Sequence, residues 1–369
     1  MKRCNPFIIH GYTGPETFCD RELELEKLKK AIENGRNVTL LAERRIGKTG
    51  LIKHLFNSLK PDPSTKCIYV DIFATRNLSE FTSKFAEAII GSMDSQLDKA
   101  LTAATRFFKS FRPELTIDSI SGAPIFSLGI QPRTAETSLQ ECFTYLREHG
   151  DAVVAIDEFQ QIANYPETGI EAMLRSQVQF LPNVNFIFAG SRHHMMTEMF
   201  CSAKRPFFNS TQTLPLDIID ADKYYDFALN FMSEASIEFE REAFDLIYSL
   251  FDGVTWYVQT VLNRLYERRS ATDADVKSVV DELIFEKKWE FAAILKALPE
   301  GSVRLLKAIA KEGAVREVTA GDFIAKHSLR SSSSVHLSLK KLVDDEILYQ
   351  ADNGYIVYDR LFGFWLRRT

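Results

Sequence analysis

The stretch that most constrains this chain runs from Val38 to Leu59. Val38-Thr39-Leu40-Leu41 reads as a buried strand, because apolar and β-branched residues follow one another without polar alternation. It leads into a tight loop, Ala42-Glu43-Arg44-Arg45-Ile46, and Gly47-Lys48-Thr49-Gly50 then opens a helical stretch, Leu51 to Leu59. Strand, loop, Gly-Lys-Thr and helix is the order that a phosphate-binding loop requires. Backbone N–H groups at a helix start point at phosphates, and the helix dipole favours their charge. On this reading Glu43 to Gly50 wrap the phosphates, Lys48 reaches the β- and γ-phosphates, and Thr49 ligates Mg²⁺. Ala42 stands where such loops ordinarily begin with glycine. Alanine admits fewer backbone conformations, so the start of the loop is expected to be nearly regular. A helix that merely begins with Gly-Lys-Thr is the plainer alternative, and the strand before it weighs against that.

A second motif follows at Ala152-Val153-Val154-Ala155-Ile156-Asp157-Glu158. The unbroken apolar run predicts a strand buried on both faces of a parallel sheet. Ligands bind beyond the carboxyl ends of such strands, where Asp157 and Glu158 fall. Asp157 is expected to hold Mg²⁺ through water, and Glu158 to polarise the water that attacks a γ-phosphate. With one strand-helix unit between it and the phosphate loop, the Asp-Glu pair points to the division of nucleoside triphosphatases that has an additional central strand. Asn185-Phe186-Ile187-Phe188-Ala189-Gly190-Ser191 is the next buried strand. Ser191 at its end is a candidate γ-phosphate sensor, with a simple capping serine as the alternative. Arg192 and Arg205 are candidates for an arginine finger serving a neighbouring subunit.

The remaining chain is read around these motifs. Residues 1 to 17 read as an irregular arm, and Asp20 caps a helix that carries Leu23, Leu25, Leu28 and Ile32 and stops near Gly35. The arm is placed to touch an adenine or simply to pack. Lys66 to Ile72 predict a strand, Asn77 to Met93 an amphipathic helix, and Thr137 to Glu148 another helix. From about 94 to 133 the pattern suggests an insertion: a helical stretch with Leu97, Leu101 and Phe108, then two β-like runs around a Gly/Pro turn. Phe107, Phe108 and Phe111 there are read as local packing rather than a partner surface. Thr211 to Leu216 complete the sheet.

From Ile218 the periodicity is helical: Ala221 to Ala235, Glu240 to Phe251, Val254 to Arg268 and Asp273 to Leu298 predict a helical lid, with Asp252-Gly253 as a helix stop. Three further helical patterns, the last running from Ser331 to Asp344, precede two β runs joined across Asp352-Asn353-Gly354. Three helices and a β-hairpin make a winged helix-turn-helix. Arg330, His336, Lys340 and Lys341 are its basic residues, set against Asp344, Asp345 and Glu346, where specific DNA readers carry a clearly basic face.

Composition narrows the class. The 369 residues are 45% hydrophobic and 26% charged, as expected of a soluble protein of two or three domains. A net charge of -5 gives no general basic surface for nucleic acid. The 5 cysteines are scattered without a C-x-x-C pair, which suggests neither zinc nor disulfides and fits a reducing cytoplasm. There is no apolar signal core, and no window approaches the roughly 18 apolar residues of a spanning helix, so a cytoplasmic protein with no membrane partner is expected.

The order of phosphate loop, Asp-Glu strand, sensor-like strand, helical lid and winged helix resembles the archaeal-type ATPases of the AAA+/STAND group, relatives of the origin-initiator ATPases. Phe18-Cys19-Asp20-Arg21-Glu22, Arg44 to Thr49, Asp157-Glu158-Phe159 and Phe364-Trp365-Leu366-Arg367 carry the resemblance over nearly the whole chain. It implies ATP or ADP and Mg²⁺ binding, slow or switch-like hydrolysis, and a role for Arg21 near the nucleotide. The Gly-x-Pro lid motif of related switch ATPases is Gly253-Val254-Thr255 here, with no Arg placed as a second sensor. No nuclease-like domain of the kind that some relatives append is expected after Thr369. The expected fold is a P-loop α/β domain over 1–217, a helical lid over 218–298 and a winged helix over 299–369. The expected function is a Mg²⁺-dependent ATPase acting as a molecular switch on a protein partner. The alternative is a DNA-binding regulator or initiator-like protein whose nucleotide is mainly structural.

Overall fold

The apolar runs that the sequence marks as buried become one parallel sheet. A computed structural model describes residues 5–60, 65–93, 110–117, 124–130, 132–351 and 353–369. In chain order α1 (Glu22–Glu33), β1 (Val38–Leu41), α2 (Lys48–Leu59), β2 (Lys66–Asp71) and α3 (Leu78–Met93) come first. They are followed by β3 (Phe111–Ile117), β4 (Pro124–Ile130), α4 (Ala135–Glu148), β5 (Ala152–Asp157) and α5 (Ile170–Gln179). Next are β6 (Val184–Gly190), α6 (His193–Cys201), β7 (Gln212–Pro215) and α7 (Ala221–Glu234). The five strands of the main sheet lie in the order β2-β5-β6-β1-β7, all parallel. The strand inserted between the phosphate-loop strand and the Asp-Glu strand is thus β6.

Register does the positioning. Leu41 pairs with Gly190 and Pro215, and Asp71 pairs with Asp157. The carboxyl ends of β1, β2, β5 and β6 therefore open on one edge of the sheet, where ligands of such folds bind. Every residue of β1 and β5 is buried, as strands covered on both faces require. Beneath that edge Phe143, Phe159, Phe186, Phe188 and Phe207 are fully buried. Phe159 lies 4.6 Å from Phe188 and 5.4 Å from Phe207, centroid to centroid. Burying each phenyl ring contributes about 1.5–3 kcal/mol, so the turn that follows Glu158 is anchored by its first residue.

The insertion contains an antiparallel hairpin, β3 with β4, in the register Phe111↔Ile130. Phe111 is buried in the core. Leu97, Leu101, Phe107 and Phe108, with the predicted helix that carries them, lie outside the described residues, as does the Gly/Pro turn between the strands up to Ala123. Asp20 does not cap α1. Arg21 occupies that position with φ 79°, and no side chain closes the helix start.

The chain divides into two units, Met1–Phe227 with Gly253–Gln259, and Ala228–Asp252 with Thr260–Thr369. The second contains α8 (Arg241–Leu250), the later part of α9 (Thr255–Arg268), α10 (Asp273–Glu286), α11 (Lys288–Ala297) and α12 (Glu300–Glu312). It ends with α13 (Gly321–Lys326), α14 (Ser332–Asp344), β8 (Leu348–Ala351), β9 (Gly354–Val357) and α15 (Arg360–Arg368). The single helix expected over Asp273 to Leu298 is two helices that meet at Lys287, whose φ of -92° and ψ of 0° depart from helical values. The closing segment is a helix that the sequence reading did not draw. Asp359 caps it by accepting from the Phe362 N–H, and it sets Phe362 5.0 Å and Trp365 5.9 Å from Phe291. Among the described residues no helix is long and apolar enough to cross a membrane.

The hairpin β8–β9 is pinned by a bridge from Val315 to Tyr355. Gly354 adopts φ 129°, and a Cβ there would sit 2.5 Å from the Val315 carbonyl carbon. Gly354→Ala should therefore cost about 3 kcal/mol through strain and overlap. Thermal melting of the full chain checks this: a clear drop in Tm is expected, and an unchanged Tm refutes the close approach.

Candidate functional site

The loop between β1 and α2 takes its shape from two left-handed residues, Arg45 at φ 66° and Gly47 at φ 103°. Ala42 needs no such conformation, so alanine serves at the start of the loop. Gly47 precedes the first turn of α2, and no side chain caps that turn. Its N–H groups and the helix dipole together make a place for an anion. Lys48 is 6% exposed, and its Nζ donates to the carbonyls of Ala42 at 3.1 Å and Glu43 at 2.6 Å. Burial pushes its pKa down to about 8, against the opposing pull of Glu158 and Asp157.

The carboxylates converge on the same point from β5. The Thr49 hydroxyl donates to Asp157 Oδ2 at 2.6 Å, and the Tyr69 hydroxyl donates to the same oxygen at 2.9 Å. Asp157 Oδ1 accepts from the Glu158 N–H at 3.0 Å. Burial raises the Tyr69 pKa, and Asp157 raises it further, so the phenol stays a donor. On the neighbouring strand Asp71 is raised by burial and by the charges of Asp157 and Glu158. Glu158 is left-handed at φ 59°. Its Oε2 accepts from Ser191 Oγ at 2.6 Å and from Gln160 Nε2 at 2.5 Å.

Lys48, Thr49, Asp157, Glu158 and Ser191 thus come together at the carboxyl edge of the sheet. The remaining residues of the predicted set brace the loop. Arg21 is buried, donating to the carbonyls of Asp217 at 2.5 Å and Ile46 at 3.5 Å and pairing with Glu24 at 2.9 Å. Arg45 donates to the Tyr257 hydroxyl and lies 4.7 Å from the Trp256 ring centre. The Trp256 N–H donates to the Arg45 carbonyl at 3.0 Å, and Thr255 Oγ1 to the Ile46 carbonyl at 3.1 Å. Gly50 faces the Phe18 ring at 3.1 Å from where a Cβ would be, and Phe18 stacks on His54 at 4.4 Å. Arg44 and Glu43 are half-buried in the loop. Arg205 pairs with Glu171 at 2.7 Å, and Arg192 contacts Met195 Sδ at 3.6 Å.

Sequence reasoning missed Tyr69, Gln160, Trp256 and Tyr257, and it marked Thr255 only as a departure from a lid motif, without its contact to the loop. Tyr69 falls at a half-buried position of β2 between the buried Ile68 and Val70, and nothing in its spacing sets it apart from a packing tyrosine. Gln160 follows the Asp-Glu pair by two residues, which was a usable signal.

Residues 18–261 match the family model for an ATPase domain predominantly from Archaea, and residues 289–368 match that for a probable winged helix domain. No curated protein matches the chain. The fold is similar to a Walker-type ATPase of Pyrococcus abyssi, at 20% identity, TM-score 0.68, and coverage of 98% of this chain and 99% of that one. It is also similar to the ORC2 protein of Aeropyrum pernix in its ADPNP–ADP complexes, at 16% identity, TM-score 0.61, and coverage of 100% and 96%. A third similar structure is the Aeropyrum pernix ORC1 protein in complex with DNA, at 14% identity, TM-score 0.54, and coverage of 95% and 93%.

The depressed pKa of Lys48 has a sign that can be checked. Phosphate charge favours the ammonium form, so binding ADPNP should raise the lysine's pKa. Affinity should be highest below about pH 8 and fall up to about tenfold per unit as pH rises through it. Calorimetry in buffers of different ionisation heat should then show proton uptake near pH 8.5 and little at pH 6.5. Uptake absent at both pH values refutes the assignment of Lys48 to phosphate.

Proposed function

This chain belongs to the ATPase-domain family found predominantly in Archaea, and on that premise we propose that it binds ATP with Mg²⁺, hydrolyses it, and acts as a molecular switch. The observation that carries the reading is the 2.6 Å hydrogen bond from Thr49 to Asp157, which ties the phosphate loop to the Asp-Glu strand. The donor set suits the metal. One hydroxyl and one carboxylate leave the other positions to phosphate oxygens and water, as Mg²⁺ prefers. Among the described residues no group of three or more His, Cys, Asp or Glu could hold an ion by itself, which fits a site that the nucleotide completes. Thr49 and Asp157 would hold the metal, and when bound it neutralises charge on the β- and γ-phosphates.

The chain's own groups supply the rest. The N–H groups at the start of α2 and the Lys48 ammonium hold the phosphates. Glu158 orients a water molecule and takes its proton, and Ser191 holds the Glu158 carboxylate. The turn at Thr255–Tyr257 touches the loop carbonyls and begins α9, so a change in the loop is passed to a long helix. That supports switch behaviour. We divide the chain accordingly into a nucleotide domain over 1–217, a helical lid over 218–298 and a winged helix over 299–369. Among the described residues Cys19, Cys67, Cys142 and Cys201 are free. Burial pushes the Cys19 thiol up to about 12 and the Cys67 thiol up to about 11, which keeps them protonated and suits a cytoplasmic protein.

Lys48→Ala should abolish Mg-ATP binding in calorimetry or weaken it severely. Glu158→Gln should bind ATP normally while turnover falls by a factor on the order of 10², and Asp157→Asn should lower affinity only when Mg²⁺ is present. Full turnover by Glu158→Gln would sink the reading.

DNA is the second reading, supported by the winged helix and by the exposed face of α14. His336, Lys340 and Lys341 are exposed there, as is Arg330 just before the helix, and Leu337 is 70% exposed. Lys341 is engaged by Asp345 at 3.1 Å, which reduces the positive field and favours a protein partner. If DNA binds, replacing Arg330, Lys340 and Lys341 together should flatten the salt slope of binding by about three. Absence of duplex binding at low salt, with ATP turnover indifferent to DNA, leaves the protein-directed switch.

A further inference from the structure

Gln160 is 4% exposed and sits in the short 3-10 turn Phe159–Asn164 that follows the Asp-Glu strand. Its Nε2 donates to Glu158 Oε2 at 2.5 Å and reaches Ser191 Oγ at 3.4 Å. Chemistry fixes the orientation of this amide. The reverse would set a carbonyl oxygen against a carboxylate oxygen. The consequence is that Gln160 Oε1 is buried with no hydrogen-bond partner among the described residues. It lies over Gly190, where any Cβ would collide with it and with the Met196 side chain. A buried acceptor left without a donor weakens the fold. This one accompanies the donation that the same side chain makes to Glu158.

We infer that Gln160 is a positioning residue for Glu158, an inference that rests on the proposed hydrolysis. Two donors, Ser191 Oγ and Gln160 Nε2, fix a single oxygen of the carboxylate, Oε2. Glu158 Oε1 accepts from no donor among the described residues and is the oxygen left for water. In the step that this serves, a water O–H bond breaks and its proton passes to Oε1. The water oxygen bonds to the γ-phosphorus, and the bond from that phosphorus to the bridging oxygen breaks, with the electron pair leaving on ADP. The left-handed backbone at Glu158 turns the side chain towards Ser191, and Gln160 closes the other side. Gly190 is then required for the clearance it gives the amide, apart from any conformation of its own.

The test compares wild type, Glu158→Gln, Gln160→Met and Gln160→Met combined with Ser191→Ala in the full chain. Methionine keeps the volume, removes the donor and also removes the orphaned acceptor. Gln160→Met should keep Tm equal to or above wild type and leave KM for ATP and ADPNP affinity within twofold. Its kcat should fall at least tenfold. Adding Ser191→Ala should cost less than the two separate losses multiplied, because both act through one carboxylate. A kcat for Gln160→Met within twofold of wild type, while Glu158→Gln is inactive, overturns the inference and leaves the ATPase reading standing. A fall in Tm and in nucleotide affinity in parallel with kcat assigns Gln160 to structure and overturns it as well. No turnover by wild type under saturating Mg-ATP removes both.

Discussion

The burial of one ammonium group governs this site. Lys48 is almost wholly removed from water, and a charge in that position persists only where acceptors and opposite charges surround it. The Ala42 and Glu43 carbonyls supply the acceptors. Asp157 and Glu158 supply the charge, and desolvation outweighs them, which lowers the pKa to about 8. The shape of the loop follows from this requirement. Its first two carbonyls turn inward to meet the ammonium, and Arg45 and Gly47 adopt left-handed conformations as the loop returns to α2. A loop bent in that way needs support from behind, and Arg21, Thr255 and Trp256 all donate to its outer carbonyls. The carboxylates in turn depend on the parallel register that carries Asp157 level with Asp71.

Those dependencies explain what could be read in the sequence. Runs such as Ala152 to Ile156 are long, apolar and unbroken, so they report a central strand directly, and Asp157-Glu158 at the end of that run marks the ligand edge. Gly47-Lys48-Thr49 reports itself because few backbones place three such residues between a strand and a helix. The contacts of Tyr69 and Thr255 could not be found in this way. Each acts through a single hydroxyl on an atom far away in the chain, 88 residues for Tyr69 and 209 for Thr255. No local period encodes such a contact. The break at Lys287 was hidden for the opposite reason: helical periodicity continues across it, and neither proline nor glycine marks it. The closing helix was legible in principle. Asp359 is a good cap, and Leu361, Phe362, Trp365 and Leu366 recur at helical spacing, but nine residues give a weak period.

The site joins a rigid support to strained parts. Phe159 is locked among Phe188, Phe200 and Phe207, and it directly follows Glu158, whose backbone lies in a region costly to a non-glycine residue. Strain of that kind persists only where the surroundings over-determine it. Here the aromatic cluster fixes one end, and the hydrogen bonds from Ser191 and Gln160 fix the other. The carboxylate is therefore held at both ends by the fold itself.

The sequence reading sets Thr255 against the proline of a Gly-x-Pro lid motif, and the difference between the two residue types is informative in physical terms. Proline has neither a hydroxyl nor an N–H to donate, so it can shape a turn but cannot hold a carbonyl. Thr255 donates through Oγ1 to Ile46, and the next N–H, that of Trp256, donates to Arg45. Consecutive residues at the start of α9 thus hold consecutive carbonyls of the phosphate loop. Arg45 closes the arrangement from the other side, with its guanidinium over the Trp256 ring and bonded to the Tyr257 hydroxyl. Any ligand that draws the loop N–H groups towards its phosphates must also move these two carbonyls, because each peptide unit is planar and carries both groups. Thr255 and Trp256 therefore make a direct hydrogen-bonded link between the loop and the start of the helix, which a proline at position 255 could make only in part.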